Sequence, residues 1–106
     1  MKIDRIIERH ARYRPDHAAV VFGESRLSWR DCHARVSRLA AALQAQGVAK
    51  GERVATVLPN CLELLDCYWA CAQIGAVMVP LSPLLTAHGL RSLLALTAIA
   101  AVYAYL

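Results

Sequence analysis

Gly51 to Pro83 reads GERVATVLPNCLELLDCYWACAQIGAVMVPLSP, and this run decides the fold. Val54 to Leu58 is apolar on both faces, the pattern of a strand covered by helices on both sides. Pro59-Asn60 ends it. Leu62, Leu65, Trp69 and Ala72 then recur at helical spacing until Gly75, which stops the helix, and Ala76 to Leu81 is a second apolar strand ending at Ser82-Pro83. Strand, capped helix, strand describes a right-handed βαβ crossover in a parallel sheet. Asn60 leads N-cap preferences and Glu63 lies three residues on, so the pair is expected to form a capping box for a helix beginning at Cys61.

Upstream, Ile3, Ile6, Ile7 and His10 make a helical stripe that Pro15 terminates. Ala18 to Phe22 and Ser25 to Ser28 are short extended runs around Gly23-Glu24, which suits a two-residue hairpin turn with glycine first. Ser28 and Asp31 resemble another capping box, and Trp29, Cys32, Val36, Leu39, Ala40 and Leu43 form one apolar face of a helix reaching about Gln46. Gly47 is placed as its left-handed stop. The sequence therefore predicts an α/β fold: a partial parallel sheet with flanking helices and an N-terminal β-hairpin.

The 106 residues admit one domain, and 58% of them are hydrophobic against the usual 45–50% or so. After Asp66 only Arg91 is charged. A segment so poor in charge is expected to be interior, and a chain this short has little exterior to cover it. That points to a piece of a larger domain. The net charge of +4 and the basic N-terminus (Lys2, Arg5, Arg9, Arg12, Arg14) raise a nucleic-acid reading. Asp4, Glu8 and Asp16 are interleaved with them, which describes a solvated mixed-sign face, and no nucleic-acid partner is expected.

Cys32, Cys61, Cys67 and Cys71 have no CxxC spacing and no paired histidines, so no metal is expected; they read as small core residues of a protein in the reducing cytoplasm. The tail from Leu93 to Leu106, LLALTAIAAVYAYL, admits three explanations: a helix end with a buried strand, a read-through of altered coding sequence, or a membrane segment. As a helix its fourteen residues would span about 21 Å, short of the roughly 30 Å hydrocarbon core, so membrane insertion is not the favoured reading.

The ordered series Asp4-Arg5-Ile6-Ile7, Arg14-Pro15-Asp16-His17-Ala18-Ala19-Val20, Leu27-Ser28-Trp29-Arg30-Asp31-Cys32, Lys50-Gly51-Glu52-Arg53-Val54, Leu58-Pro59-Asn60 and Gly75-Ala76 with Val79-Pro80-Leu81 resembles the N-terminal part of adenylate-forming (AMP-binding) enzymes, acyl-CoA synthetases in particular. The resemblance covers residues 3 to 86. It implies that residues 1–106 are the N-terminal, incomplete segment of an AMP-dependent synthetase/ligase domain. The parent reaction it implies uses ATP and Mg to turn a carboxylic acid, fatty or aryl, into an acyl-adenylate, then transfers it to coenzyme A. It also marks departures. Gly89 stands where the family commonly places Glu, and Leu84 where some relatives carry an arginine near coenzyme A phosphate.

Adenylation needs a glycine-rich phosphate-cradling loop with a lysine. The five glycines are isolated, and the only lysines are Lys2 and Lys50. The expected function is therefore that of a truncated acyl-CoA synthetase-like protein, inactive by itself. No catalytic, cofactor-binding or metal residue is assigned, and none of ATP, Mg or coenzyme A is expected to be bound by this chain alone. Asn60 reads as a cap, Lys50 and Arg53 as solvated residues, and His10, His17, His33 and His88 as scattered boundary histidines. Two other readings stay open: an interaction module docking onto a separately encoded remainder, and a small membrane-associated protein through 93–106.

Overall fold

The computed structural model describes residues 3–84, 87–89, 91–92 and 99–104. Its elements run α1 (Asp4–Tyr13), β1 (Ala18–Phe22), β2 (Ser25–Ser28), α2 (Trp29–Ala45), β3 (Arg53–Val57), α3 (Leu62–Ile74), β4 (Val77–Leu81) and β5 (Ile99–Ala104). β1 and β2 form the expected antiparallel hairpin, with Phe22 opposite Ser25 and Gly23 at φ 59° in the turn. A left-handed backbone there suits the residue without a Cβ. β3, β4 and β5 form a parallel sheet in the order β4-β3-β5.

Local signals place the helix ends. Ser28 caps α2 by accepting a hydrogen bond from the Asp31 N–H at 3.1 Å. The next orphan donors of α2 are met from the preceding loop: Trp29 N–H donates to the His17 carbonyl and Arg30 N–H to that of Pro15. At the other end, Gly47 N–H donates to the Gln44 carbonyl and Val48 N–H to that of Leu43. This is a complete Schellman motif, with Val48 and Leu43 both buried behind it. Gly75 closes α3 at φ 76° through bonds from its own N–H to Ala72 and from Ala76 N–H to Cys71.

The core lies between the helices and the central strand. Ile7 of α1, Cys32, Val36, Ala40 and Leu43 of α2, Ala70 and Cys71 of α3, and Val54 of β3 form one buried cluster with Val48. Val54, Ala55 and Thr56 are 0% exposed, so both faces of β3 are closed as the unalternating run predicts. The N-terminal stripe is only partly used: Ile7 is buried, whereas Ile3 stays 64% exposed. His10 stacks on Trp29, ring centroids 4.5 Å apart. A low-charge segment does not make every residue interior, since Tyr68, Val77 and Leu84 are exposed.

Part of the tail is a strand, as one of its three explanations expects. Residues 99–104 are a strand paired with β3, Val102 opposite Ala55 and Tyr103 opposite Thr56. Among the described residues no helix is long and apolar enough to cross a membrane. Residues 87–89 and 91–92 are helical.

Candidate functional groove

From β3 the chain crosses to β4 on one side, and from β4 it returns past β3 to β5. The residues following the carboxyl ends of β3 and β4 flank a crevice, and α/β sheets place ligands outside the carboxyl ends of their strands. A groove of about 560 Å³ lies there, between Leu58-Pro59-Asn60 on one side and Pro80 to Leu84 on the other, floored by Leu64 and Tyr68 of α3.

Its chemistry is apolar and poor in donors. Pro59, Pro80 and Pro83 contribute no backbone N–H. The Ser82 hydroxyl accepts from the Leu84 N–H at 3.1 Å, a bond internal to its own loop. Leu84 is 92% exposed. Asn60 sits on the groove rim, exposed, and does not cap α3: the N-cap is Cys61, and no side chain bonds the first turn. The expected Asn60–Glu63 box is thus corrected. Pro59 and the turn after it delay the helix by one residue, which carries the asparagine past the position from which it could reach the free amides.

Elsewhere the structure assembles a contact that the sequence did not announce. Arg35 of α2 donates from Nε and Nη2 to the same Oδ2 of Asp66 on α3, at 3.1 and 2.7 Å. Asp66 is 7% exposed, buried against the α2–α3 seam. Its hydrogen bond is the main reason the Arg35 pKa is raised. The visible signal was an acid inside the apolar run LELLDCYWACA, since a buried carboxylate needs a partner.

The three buried cysteines offer no nucleophile. Burial pushes Cys67 up to about 12, helped by Cys71 and Asp66, and burial likewise raises Cys32 and Cys71. Such thiols stay protonated and inert near neutral pH. Lys50 lies along Gly75, where an added Cβ would come within 2.9 Å of its Cγ. It is not near the groove lining.

These residues do not fit ATP, magnesium or coenzyme A on their own. A phosphate needs converging amides or cations, and this groove presents prolines and leucines. Among the described residues no three His, Cys, Asp or Glu side chains converge on a metal position.

The described residues define a mixed α/β protein with a short antiparallel hairpin and a parallel sheet. The family itself follows from comparison: the model of AMP-binding enzymes matches residues 7–105, and the chain belongs to that family. It is 40% identical over 95 residues to an indoleacetate–CoA ligase of Aromatoleum aromaticum, covering 90% of this chain and 19% of that protein. It is 38% identical over 77 residues to a long-chain-fatty-acid–CoA ligase of Bacillus subtilis, covering 73% of this chain and 14% of the ligase. The fold superposes on a coronafacic acid ligase of Pectobacterium brasiliense with a TM-score of 0.90 at 30% identity, over 98% of this chain and 21% of that one. The chain thus spans about a fifth or less of these relatives' length.

Proposed function

We propose that residues 1–106 are the N-terminal segment of an AMP-dependent synthetase/ligase domain, and that they supply scaffold and not chemistry. The parent activity is ATP-dependent ligation of a carboxylic acid, fatty or aryl, to coenzyme A. One observation carries the reading: the sheet and its helices superpose on a ligase at a TM-score of 0.90, while the described lining of the groove they frame is mainly proline and leucine. ATP, magnesium and coenzyme A belong to residues of the parent domain outside this segment. Free cysteines, three of them buried with raised pKa, support a reducing, cytoplasmic setting.

The test has two arms. ATP–pyrophosphate exchange by the 106-residue chain, with hexadecanoate and with indoleacetate, is expected at the no-protein level. Exchange above that level with either acid overturns the reading. Replacing the matching segment of the Bacillus subtilis ligase by residues 7–105 is expected to leave exchange within about tenfold of the parent. A chimera that folds but has lost exchange entirely shows that the segment carries chemistry after all.

A further inference from the structure

His10, one of four scattered histidines in the sequence, has a partner in the fold. Its ring lies on the indole of Trp29, with centroids 4.5 Å apart and planes 27° from parallel. The contact ties the last turn of α1 to the first residue of α2. Three residues earlier on the same side of α1, Ile7 is 2% exposed in the core cluster, so the stack sits next to the point where α1 is seated. Both rings are partly buried, and His10 borders a surface cleft with Arg9, Tyr13 and Arg14, through which protons reach it from solvent.

A neutral imidazole on an indole is an aromatic pair, whereas a protonated one is a cation on the π face that attracts cations best. Protonation also puts a positive charge at the carboxyl end of α1, where the helix dipole favours it. Arg9, Arg12 and Arg14 oppose it, and Glu8 is the nearest acid in the sequence of α1. In the loop, Asp16 is engaged by Arg30 of α2 at 3.1 Å, and the His17 carbonyl accepts the Trp29 N–H. α2 also carries Asp31 and His33; α3, packed on α1 as well, carries Glu63 and Asp66, the latter held by Arg35. The arginines of α1 are exposed, and like charges on a helix surface repel weakly through water. The stack and the dipole therefore prevail.

We infer that the His10–Trp29 stack is a proton-sensitive latch, which tightens α1 on α2 when His10 is protonated and loosens the helix that seats Ile7 as pH rises through the histidine range. The added stability is fully present below that range and lost above it.

Urea unfolding of the full 106-residue chain at about pH 8 and about pH 5, followed by circular dichroism, tests this against His10→Gln, which cannot take the charge. On acidification the folded-to-unfolded ratio is expected to gain about fivefold relative to His10→Gln. Trp29→Leu keeps an apolar contact without a π face, and measured against its own double variant with His10→Gln it cuts that gain to about twofold or less. His17→Gln leaves the gain unchanged. Emission gives a readout that needs no unfolding and stands even where Trp29→Leu fails to fold. With Trp69→Phe leaving Trp29 as the sole indole, fluorescence falls as His10 takes its proton, because imidazolium quenches a stacked indole, and it stays level once His10→Gln is added. A gain shared by His10→Gln, a gain undiminished in Trp29→Leu or abolished in His17→Gln, or Trp29 emission level across the histidine range overturns the inference.

Discussion

The Arg35–Asp66 contact makes a prediction whose sign depends on which partner is removed. Both bonds converge on one carboxylate oxygen, and the Arg35 side chain keeps 30% exposure against 10% for Asp66. Arg35→Ala leaves an ionised carboxylate in a site nearly closed to water. Breaking a buried pair in this way costs about 3 kcal/mol. Asp66→Ala leaves a long, flexible guanidinium that can turn outward and be rehydrated, so the loss is about 1.5 kcal/mol. The double variant removes both charges together and falls short of the sum by roughly 1–2 kcal/mol. Urea unfolding followed through Trp29 and Trp69 reads all three. The Arg35 pKa is raised in the fold, so its contribution is fully present below the ordinary guanidinium pKa and is lost only above it. The asymmetry should accordingly not depend on the arginine's titration anywhere near neutral pH. Asp66→Ala costing as much as Arg35→Ala, or costs that add within about 0.5 kcal/mol, would refute the account of an asymmetric buried pair.

Two further outcomes test other parts of the reading. Ser28→Ala removes the acceptor of the Asp31 N–H and should cost about 1 kcal/mol in the same unfolding experiment, whereas Asn60→Ala should change stability by less than about 0.5 kcal/mol because Cys61 holds the N-cap position; equal losses would restore the capping role to Asn60. Cys67, pushed from 9.0 to about 12 by burial, keeps its proton in the fold while the unfolded chain releases it, so its contribution is complete below pH 9 and declines by about 1.4 kcal/mol per pH unit above it. Cys67→Ala should flatten the fall in the urea midpoint between pH 9 and 10.5, and an unchanged slope would show that another group governs alkaline unfolding.

What could be read in the residues was whatever a few neighbours decide. Ser28, Gly47 and Gly75 each act within one helical turn, and all three stand where the pattern put them. Val54 to Leu58 announced a strand closed on both sides because an unalternating apolar run has few other homes. Asn60 failed for the same local reason that Ser28 succeeded: a cap depends on the turn that delivers it, and one residue of delay after Pro59 is enough. Arg35 and Asp66 were hidden differently. They are 31 positions apart, and nothing in either helix alone says that the two charged residues face each other.

The tail shows where such reading ends. Residues 99–104 are uncharged, and their alanines suit a helix as well as their Ile, Val and Tyr suit a strand, so local preference cannot choose between the two. The choice is made by β3, which is paired on one side by β4 and leaves a complete row of donors and acceptors on the other. Leaving that row unpaired between closed faces would cost more than any propensity difference across six residues. The strand exists because of a partner more than forty residues earlier.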